Sequence, residues 1–141
     1  MTETKKPEIL FLCVHNAGRS QMAAAFARHF GGDRVVIHSA GSAPGERLNP
    51  AVVEVMREKG IDLMGLTPQA LTDAMGRDAD VIVTMGCGDS CPVYPGKRYV
   101  DWELSDPATL TIEHVRPIRD EIERRVASLL DEILADMAPP T

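Results

Sequence analysis

The sequence has few cysteines and no long hydrophobic segment. Only three cysteines occur among 141 residues, and an odd number cannot pair completely into a disulfide framework. The longest apolar run covers residues 9–14, whereas a helix needs about 20 residues to span a bilayer. The first residues also lack the hydrophobic region of a secretory signal. We therefore expect a cytoplasmic protein whose reduced cysteines serve reactive chemistry or metal binding.

Basic residues are scarce as well. The 15 Lys and Arg residues are outnumbered by 21 Asp and Glu residues, which gives a formal net charge of −6. Nucleic acids and anionic membranes attract basic surfaces, so neither is expected as a partner. An anionic substrate requires a local group of donors that acts against this overall charge. The length and composition fit a globular protein with one domain over residues 1–141, which we expect to be a monomer.

Buried strands alternate with amphipathic helices along the chain. Apolar runs predict four strands, at residues 9–14, 35–39, 80–85 and 98–100. Apolar residues at helical spacing predict helices at residues 21–30, 51–59, 71–75 and 112–137. This alternation predicts an α/β fold with a four-stranded parallel sheet flanked by helices. Ligands bind beyond the carboxyl ends of such strands, which places residues 13–20, residues 85–91 and the loop after residue 100 on one rim.

The segment Cys-Val-His-Asn-Ala-Gly-Arg-Ser joins the first predicted strand to the first helix. Backbone N–H groups of such a turn converge with the helix N-terminus on a concavity that suits a tetrahedral oxyanion. A guanidinium can bind two oxygens of that anion, and the same donors favour a nucleophilic thiolate at Cys13. This context favours a functional cysteine over one that merely fills a strand. The predicted anion-binding residues are Val14, His15, Asn16, Ala17, Gly18, Arg19 and Ser20, of which Ser20 also donates to the sulfur.

Asp106-Pro107 precedes the last predicted helix. Group transfer to sulfur needs a proton donor for the oxygen that departs, and an aspartate near the bound anion can supply it. An Asp-Pro pair is also ordinary chemistry at the start of a helix. Because the thiolate loop lies on the same rim, the acid role is favoured.

At this point the chain resembles a known family. Residues 13–20 followed by Gln21-Met22-Ala23, with three later motifs, are similar to the arsenate reductases built on the low-molecular-weight tyrosine phosphatase fold. The three motifs are Ser39-Ala40-Gly41, Asn49-Pro50 and Asp106-Pro107. The resemblance covers residues 9–122 and implies a flavodoxin-like topology. It also implies arsenate as the substrate, in a reaction of arsenic detoxification.

The resemblance implies a disulfide relay. Cys13 attacks arsenate while Asp106 assists the departure of an oxygen. Cys87 then attacks the sulfur of the arseno-cysteine, which releases arsenite and leaves a Cys13–Cys87 disulfide. Cys91 attacks Cys87, and the Cys87–Cys91 disulfide is presented to an external reductant. Thioredoxin, or a glutaredoxin-like protein with a small thiol, would supply the reducing equivalents, and no bound cofactor is implied.

The spacing of the two relay cysteines sets a condition on this scheme. A disulfide requires Cα atoms within about 7 Å. Residues four apart meet that limit in a helix but not in an extended chain. The segment between Cys87 and Cys91 must therefore be helical or folded back.

Metal binding is the main alternative for these cysteines. A zinc site could combine them with His15, His38 or Cys13, but structural zinc usually takes two close pairs of ligands and only one pair is present. No metal site is therefore predicted. Some family members bind potassium through an asparagine, a serine and a glutamate. Asn16 and Ser39 match, whereas Ala24 stands at the glutamate position, so potassium is an open alternative that the sequence does not favour.

Two other functions remain open. A phosphomonoesterase of the low-molecular-weight protein tyrosine phosphatase type would use Cys13 as nucleophile, Arg19 as clamp and Asp106 as acid. Residual phosphatase activity is expected in either case. Ala108-Thr109 follow the acid where phosphotyrosine enzymes carry aromatic residues, which disfavours this reading. A sensor that binds an anion or a metal without turnover is the third hypothesis.

Overall fold

A computed structural model describes residues 6–86, 94–107 and 110–137. Within these ranges the chain forms one four-stranded sheet in the order β2-β1-β3-β4, and every neighbouring pair of strands is parallel. The predicted α/β architecture is confirmed. The strands are β1 Glu8–Cys13, β2 Val36–Gly41, β3 Val81–Thr84 and β4 Arg98–Asp101.

Helices connect these strands and pack against the sheet. In the described ranges they are α1 Arg19–Gly31, α2 Pro50–Arg57, α3 Asp73–Asp78 and α4 Ile112–Met137. Asn49 caps α2: its side chain accepts a hydrogen bond of 2.9 Å from Ala51 N, and Pro50 occupies the first helical position, an arrangement typical of helix starts. In the described part of the chain, no helix combines the length and the apolar character that crossing a bilayer requires.

Two helices begin two residues away from their predicted positions, and α2 begins one residue early, at Pro50. α1 begins at Arg19, two residues early, so the predicted clamp and Ser20 lie in its first turn. α3 begins at Asp73, after Thr72 caps the N–H of Met75. Residues 69–71 are not helical because they bond to the end of β2, with Gly41 N donating to residue 69 and residue 71 donating back to Gly41 O.

The sheet is buried on both faces, which explains the continuous apolar run in β1. Ile9 and Phe11 belong to the larger core cluster, which also contains the buried faces of α1, α2 and α4. Leu10 and Leu12 point the other way, into a smaller cluster that includes Ile82. Alternate residues of one strand therefore anchor the two layers.

Charged side chains join the end of α2 to α4. Arg116 donates to both carboxylate oxygens of Glu58, at 2.7–3.1 Å. Arg119 donates to Glu58 at 2.7 Å and to the carbonyl of Val55 at 3.0 Å. Hydrogen bonds lower the pKa of Glu58 to about 2, and the bond from Arg116 has a larger effect than the bond from Arg119.

The order of the strands determines where a ligand can bind. The connection from β1 leads to β2 on one side, and β3 lies on the other side of β1. In open parallel sheets, the crevice at the carboxyl end of such a reversal is the usual ligand site. Cys13 is the last residue of β1 and therefore lies at this position.

Candidate active site

Cys13 lies at the carboxyl end of β1, and its side chain is only 2% exposed. Its Sγ atom is 2.8 Å from Ser20 Oγ and accepts a hydrogen bond of 3.3 Å from the backbone N–H of Asn16. The first turn of α1 contains no acidic residue, and no side chain caps its N-terminus. These donors and the partial positive charge of the helix N-terminus suit a negatively charged group at this position.

Four carbonyl groups orient the loop around this sulfur. The carbonyls of Cys13, Val14, His15 and Ala17 accept N–H groups of residues 42, 43, 45 and 49, at 2.8–3.2 Å. The described peptide bonds are all trans, so each N–H points opposite to the carbonyl of its own peptide unit. The amides that follow these carbonyls therefore point away from residues 42–49, and the amide of Asn16 donates to the sulfur.

The loop turns at Asn16, which has a positive φ of 52° and is completely buried. Its Nδ2 donates to Ser20 Oγ at 2.7 Å. An amide nitrogen only donates, so the serine oxygen accepts this bond and keeps its own hydrogen and a second lone pair. A thiolate at Cys13 can only accept, so Ser20 is the donor in its contact with an ionised Cys13, and Asn16 holds the serine oxygen in place for that contact.

Arg19 is 7% exposed and lies between the loops that follow β3 and β4. Its Nη1 donates to the carbonyl of Leu104 at 3.2 Å, and its Nη2 lies 3.8 Å from Asp106 Oδ2. Gly86 packs directly against the guanidinium, because a Cβ atom built on Gly86 would lie 2.4 Å from Nη1. These contacts fix the guanidinium, and Arg19 lines the same pocket as Cys13 and Asp106.

The side chain of Asp106 is about half exposed, and its neighbour Pro107 packs on the loop. Asn49 Nδ2 donates to the carbonyl of Pro107 at 3.0 Å. A Cβ atom on Gly18 would lie 2.9 Å from Pro107 Cγ. The absence of a side chain at Gly18 therefore lets the segment with Asp106 approach the loop.

A pocket of about 210 Å³ opens between these segments. The predicted residues that line it are Cys13, His15, Ala17, Gly18, Arg19 and Asp106. Of the other predicted anion-binding residues, Asn16 and Ser20 are buried behind the loop and Val14 packs towards the smaller core cluster. Cys87 and Cys91 lie outside the described residues, as does Ala108-Thr109.

Sequence reasoning missed part of the pocket. Arg47 and Leu48 line it together with Asn49 and Pro50, a pair that the sequence analysis used only as a motif of the family resemblance. A signal was available, since residues 42–49 follow the carboxyl end of β2, on the rim where ligands bind. Arg47 is exposed at the pocket and adds a second guanidinium to its lining.

The described ranges contain no group of three or more His, Cys, Asp or Glu side chains placed to bind a metal ion. His38 lies away from the pocket lining and pairs with Glu8 at 3.6 Å. The two cysteines of the zinc alternative lie outside these ranges. The site that the structure describes is therefore a cysteine in an oxyanion cradle with an arginine and an aspartate.

A parallel sheet with this strand order and this loop defines a class of protein. Residues 8–138 match the model of the low molecular weight phosphotyrosine protein phosphatase family, and the chain belongs to that family. Its resemblance to arsenate reductases of this fold is confirmed by named relatives. One is the arsenate reductase of Bacillus subtilis, 37% identical over 128 residues that cover 84% of this chain and 91% of that protein.

Two further relatives differ in the reductant that their names indicate. The glutaredoxin arsenate reductase of Synechocystis is 32% identical over 129 residues, which cover 89% of this chain and 98% of that protein. The solved structure of a Corynebacterium glutamicum thioredoxin-dependent arsenate reductase is 43% identical, with a TM-score of 0.80. That alignment covers 93% of this chain but only 63% of the longer Corynebacterium chain.

Proposed function

We propose that this protein is a thiol-dependent arsenate reductase in which Cys13 is the nucleophile. The observation that carries the proposal is the sulfur of Cys13, which contacts Ser20 Oγ and Asn16 N at the start of α1 with Arg19 beside it. Relatives named arsenate reductase cover most of the chain and support arsenate as the oxyanion.

In the first step the thiolate of Cys13 attacks the arsenic of arsenate. A sulfur–arsenic bond forms, and one arsenic–oxygen bond breaks. The departing oxygen takes a proton from the carboxyl of Asp106 and leaves as water. Arg19 and the loop amides bind the remaining oxygens.

In the second step Cys87 reduces the arsenic. Its thiolate attacks the Cys13 sulfur, the electron pair of the sulfur–arsenic bond passes to arsenic, and arsenite leaves. Cys91 then attacks Cys87, which frees Cys13 and leaves a Cys87–Cys91 disulfide. Thioredoxin or a glutaredoxin-like protein with a small thiol returns two electrons. The relay rests on the sequence resemblance, because Cys87 and Cys91 lie outside the described residues.

The test measures arsenate-dependent NADPH oxidation with thioredoxin and thioredoxin reductase, and separately with glutaredoxin, glutathione and glutathione reductase. The wild type should turn over with at least one system. Cys13→Ser should abolish turnover, because the hydroxyl lacks the nucleophilicity of a thiolate. Cys87→Ser should release at most one equivalent of arsenite and accumulate a thiol adduct.

The opposite pattern would favour the second candidate function, a phosphomonoesterase. That pattern is rapid hydrolysis of an aryl phosphate with no NADPH oxidation in either system. The family description and the shared nucleophile support this candidate. The described lining contradicts a phosphotyrosine substrate, because it contains no Phe, Tyr or Trp to stack on a phenyl ring.

A further inference from the structure

Gln21 is a polar residue in the first turn of α1, two residues after Arg19, and it lies behind the pocket. It is buried, with only 3% of its surface exposed. Nε2 donates to Asn16 Oδ1 at 2.9 Å and to the carbonyl of Thr67 at 3.4 Å. Both amide hydrogens are therefore used, and the carboxamide is fixed in one orientation.

The Asn16 side chain is fixed in turn by its own partners. Its Oδ1 accepts from Gln21 Nε2 and, at 2.8 Å, from the backbone N–H of Gln69. Its Nδ2 donates to Ser20 Oγ. Reversal of the amide would turn two donors towards two donors, so the contacts with Gln21 and Gln69 exclude it.

These contacts reach the sulfur by two routes. Asn16 Nδ2 holds the oxygen of Ser20 beside the sulfur of Cys13, and the hydroxyl hydrogen of Ser20 remains available to donate to a thiolate. The side-chain contacts also stabilise the positive φ of Asn16, which aims its backbone N–H at the same sulfur. Gln21 itself is not among the residues that line the pocket.

The same contacts do not fit the potassium site of some family members. The amide oxygen of Asn16, which would face the cation, accepts two N–H groups instead. Ala24 is completely buried and brings no oxygen from its side chain. In this chain the neutral carboxamide of Gln21 contacts the Asn16 oxygen.

We propose that Gln21 is a positioning residue that stabilises the Cys13 thiolate by fixing the side chain of Asn16. The proposal rests on the proposed role of Cys13 as the nucleophile. Gln21 donates to Asn16, Asn16 donates to Ser20, and Ser20 donates to the sulfur. Without the hydrogen bond from Gln21, the side chains of Asn16 and Ser20 are held less firmly. The hydrogen bond from Ser20 then stabilises the thiolate of Cys13 less.

The test compares Gln21→Met with Gln69→Met. Gln69 contacts Asn16 through its backbone only and its side chain is exposed, so the control makes the same substitution without removing a donor. The rate of Cys13 alkylation by iodoacetamide is measured against pH, with the Cys13 peptide quantified by mass spectrometry. Gln21→Met should raise the midpoint of this profile by about one pH unit, and Gln69→Met should leave it unchanged.

A second background tests the route. Asn16→Gly keeps the backbone N–H and tolerates the positive φ, but it removes the side chain that Gln21 contacts. In that background Gln21→Met should produce no further shift. A full additional shift would overturn the proposal, because Gln21 would then act on the sulfur without Asn16.

A purely structural role gives a different result. In that case Gln21→Met lowers the melting temperature and leaves the alkylation midpoint unchanged, which overturns the proposal.

If Gln21→Met does not fold, Gln21→Leu takes its place with the same expected shift. Alkylation needs no arsenate, so a wild type that shows no NADPH oxidation refutes the proposed function while the midpoint still tests Gln21. We expect that adding potassium does not change the alkylation rate of Cys13 in the wild type.

Discussion

At the scale of single residues, the guanidinium of Arg19 depends on a neighbour that has no side chain. Gly86 has a φ of +80°, and a Cβ atom there would lie 2.4 Å from Arg19 Nη1. Arg19 also donates to the carbonyl of Leu104, so the guanidinium cannot move away from a Cβ atom at position 86 without weakening that bond. The position of Gly86 therefore limits the position of the guanidinium that we propose binds the oxyanion.

We predict that Gly86→Ala weakens oxyanion binding by about tenfold or more, because loss of one charge-assisted contact costs about 1.5–3 kcal/mol. Phosphate affinity measured by calorimetry checks this without turnover. The matched control is Gly96→Ala, since Gly96 has a φ of +81° and no neighbour within 4 Å of its Cβ position. Both variants should lose about 1–2 kcal/mol of stability from backbone strain. Equal phosphate affinities in the two variants would show that Gly86 does not position Arg19.

The residues that sequence reasoning identified are those whose chemistry is local. Cys13, Arg19 and Ser20 follow from one strand-to-helix segment, and the structure brings them together with Asp106. Gln21 and Gly86 could not be identified in the same way. Their contacts join residues that are distant in sequence or depend on the fixed rotamer of Asn16, and no local pattern carries that information.

At the scale of elements, the sequence predicted the strands and the long helices because their apolar periodicity is strong. The error at α3 has a physical cause. Residues 69–71 bond to Gly41 at the end of β2, and this tertiary pairing prevents the helix from starting at residue 71 as predicted. The early start of α1 is a similar effect, because contacts of Ser20 with the loop favour a helical first turn.

The link between α2 and α4 gives a prediction at this scale. The pKa of Glu58 is lowered from its ordinary value of 4.5 to about 2 by Arg116 and Arg119. The folded state thus binds fewer protons than the unfolded state between these values, so stability from Glu58 is complete above about pH 4.5 and is lost as the pH falls towards 2. Urea unfolding should show that Glu58→Gln lowers stability at pH 6 and that this difference shrinks at pH 3.

The control for this prediction is Glu54→Gln. Glu54 pairs with Arg57 at 3.0 Å within α2 and does not bridge to α4 through that contact. Its effect on stability should be small at both pH values, as is usual for an exposed pair. A Glu58→Gln effect that is constant from pH 6 to pH 3 would contradict the assigned cause.

At the scale of the whole molecule, a net charge of −6 surrounds a local site for an anion. The topology resolves this conflict, because it gathers loop amides, the start of α1 and two arginines at the carboxyl ends of β1 and β2. The composition argued against nucleic acids and anionic membranes as partners, but it could not predict that these donors lie together at one site. The order of the motifs along the alternating strands and helices predicted that.

Phosphate should therefore stabilise the folded protein. At 100 times its Kd, a ligand of the folded state adds about 2.7 kcal/mol, which raises Tm by roughly 5–10 °C for a chain of this size. Differential scanning calorimetry with sodium phosphate checks the shift, and Arg19→Lys should reduce it because a lysine cannot offer paired donors. Sodium nitrate at equal ionic strength is the control. An equal rise with nitrate would indicate a general salt effect.

The carbonyls of Cys13, Val14, His15 and Ala17 are already bonded to residues 42–49 in the folded chain. A cradle preorganised in this way recognises tetrahedral shape and negative charge, and these properties are nearly the same in phosphate and arsenate. Selectivity between the two anions then cannot arise when they enter. In the proposed reaction it arises after the bond to sulfur has formed, since arsenic takes the electron pair of the sulfur–arsenic bond when a second thiolate attacks the Cys13 sulfur, and phosphorus is not reduced in this way. For an enzyme built this way, abundant phosphate is an inhibitor to be outcompeted rather than a substrate to be excluded.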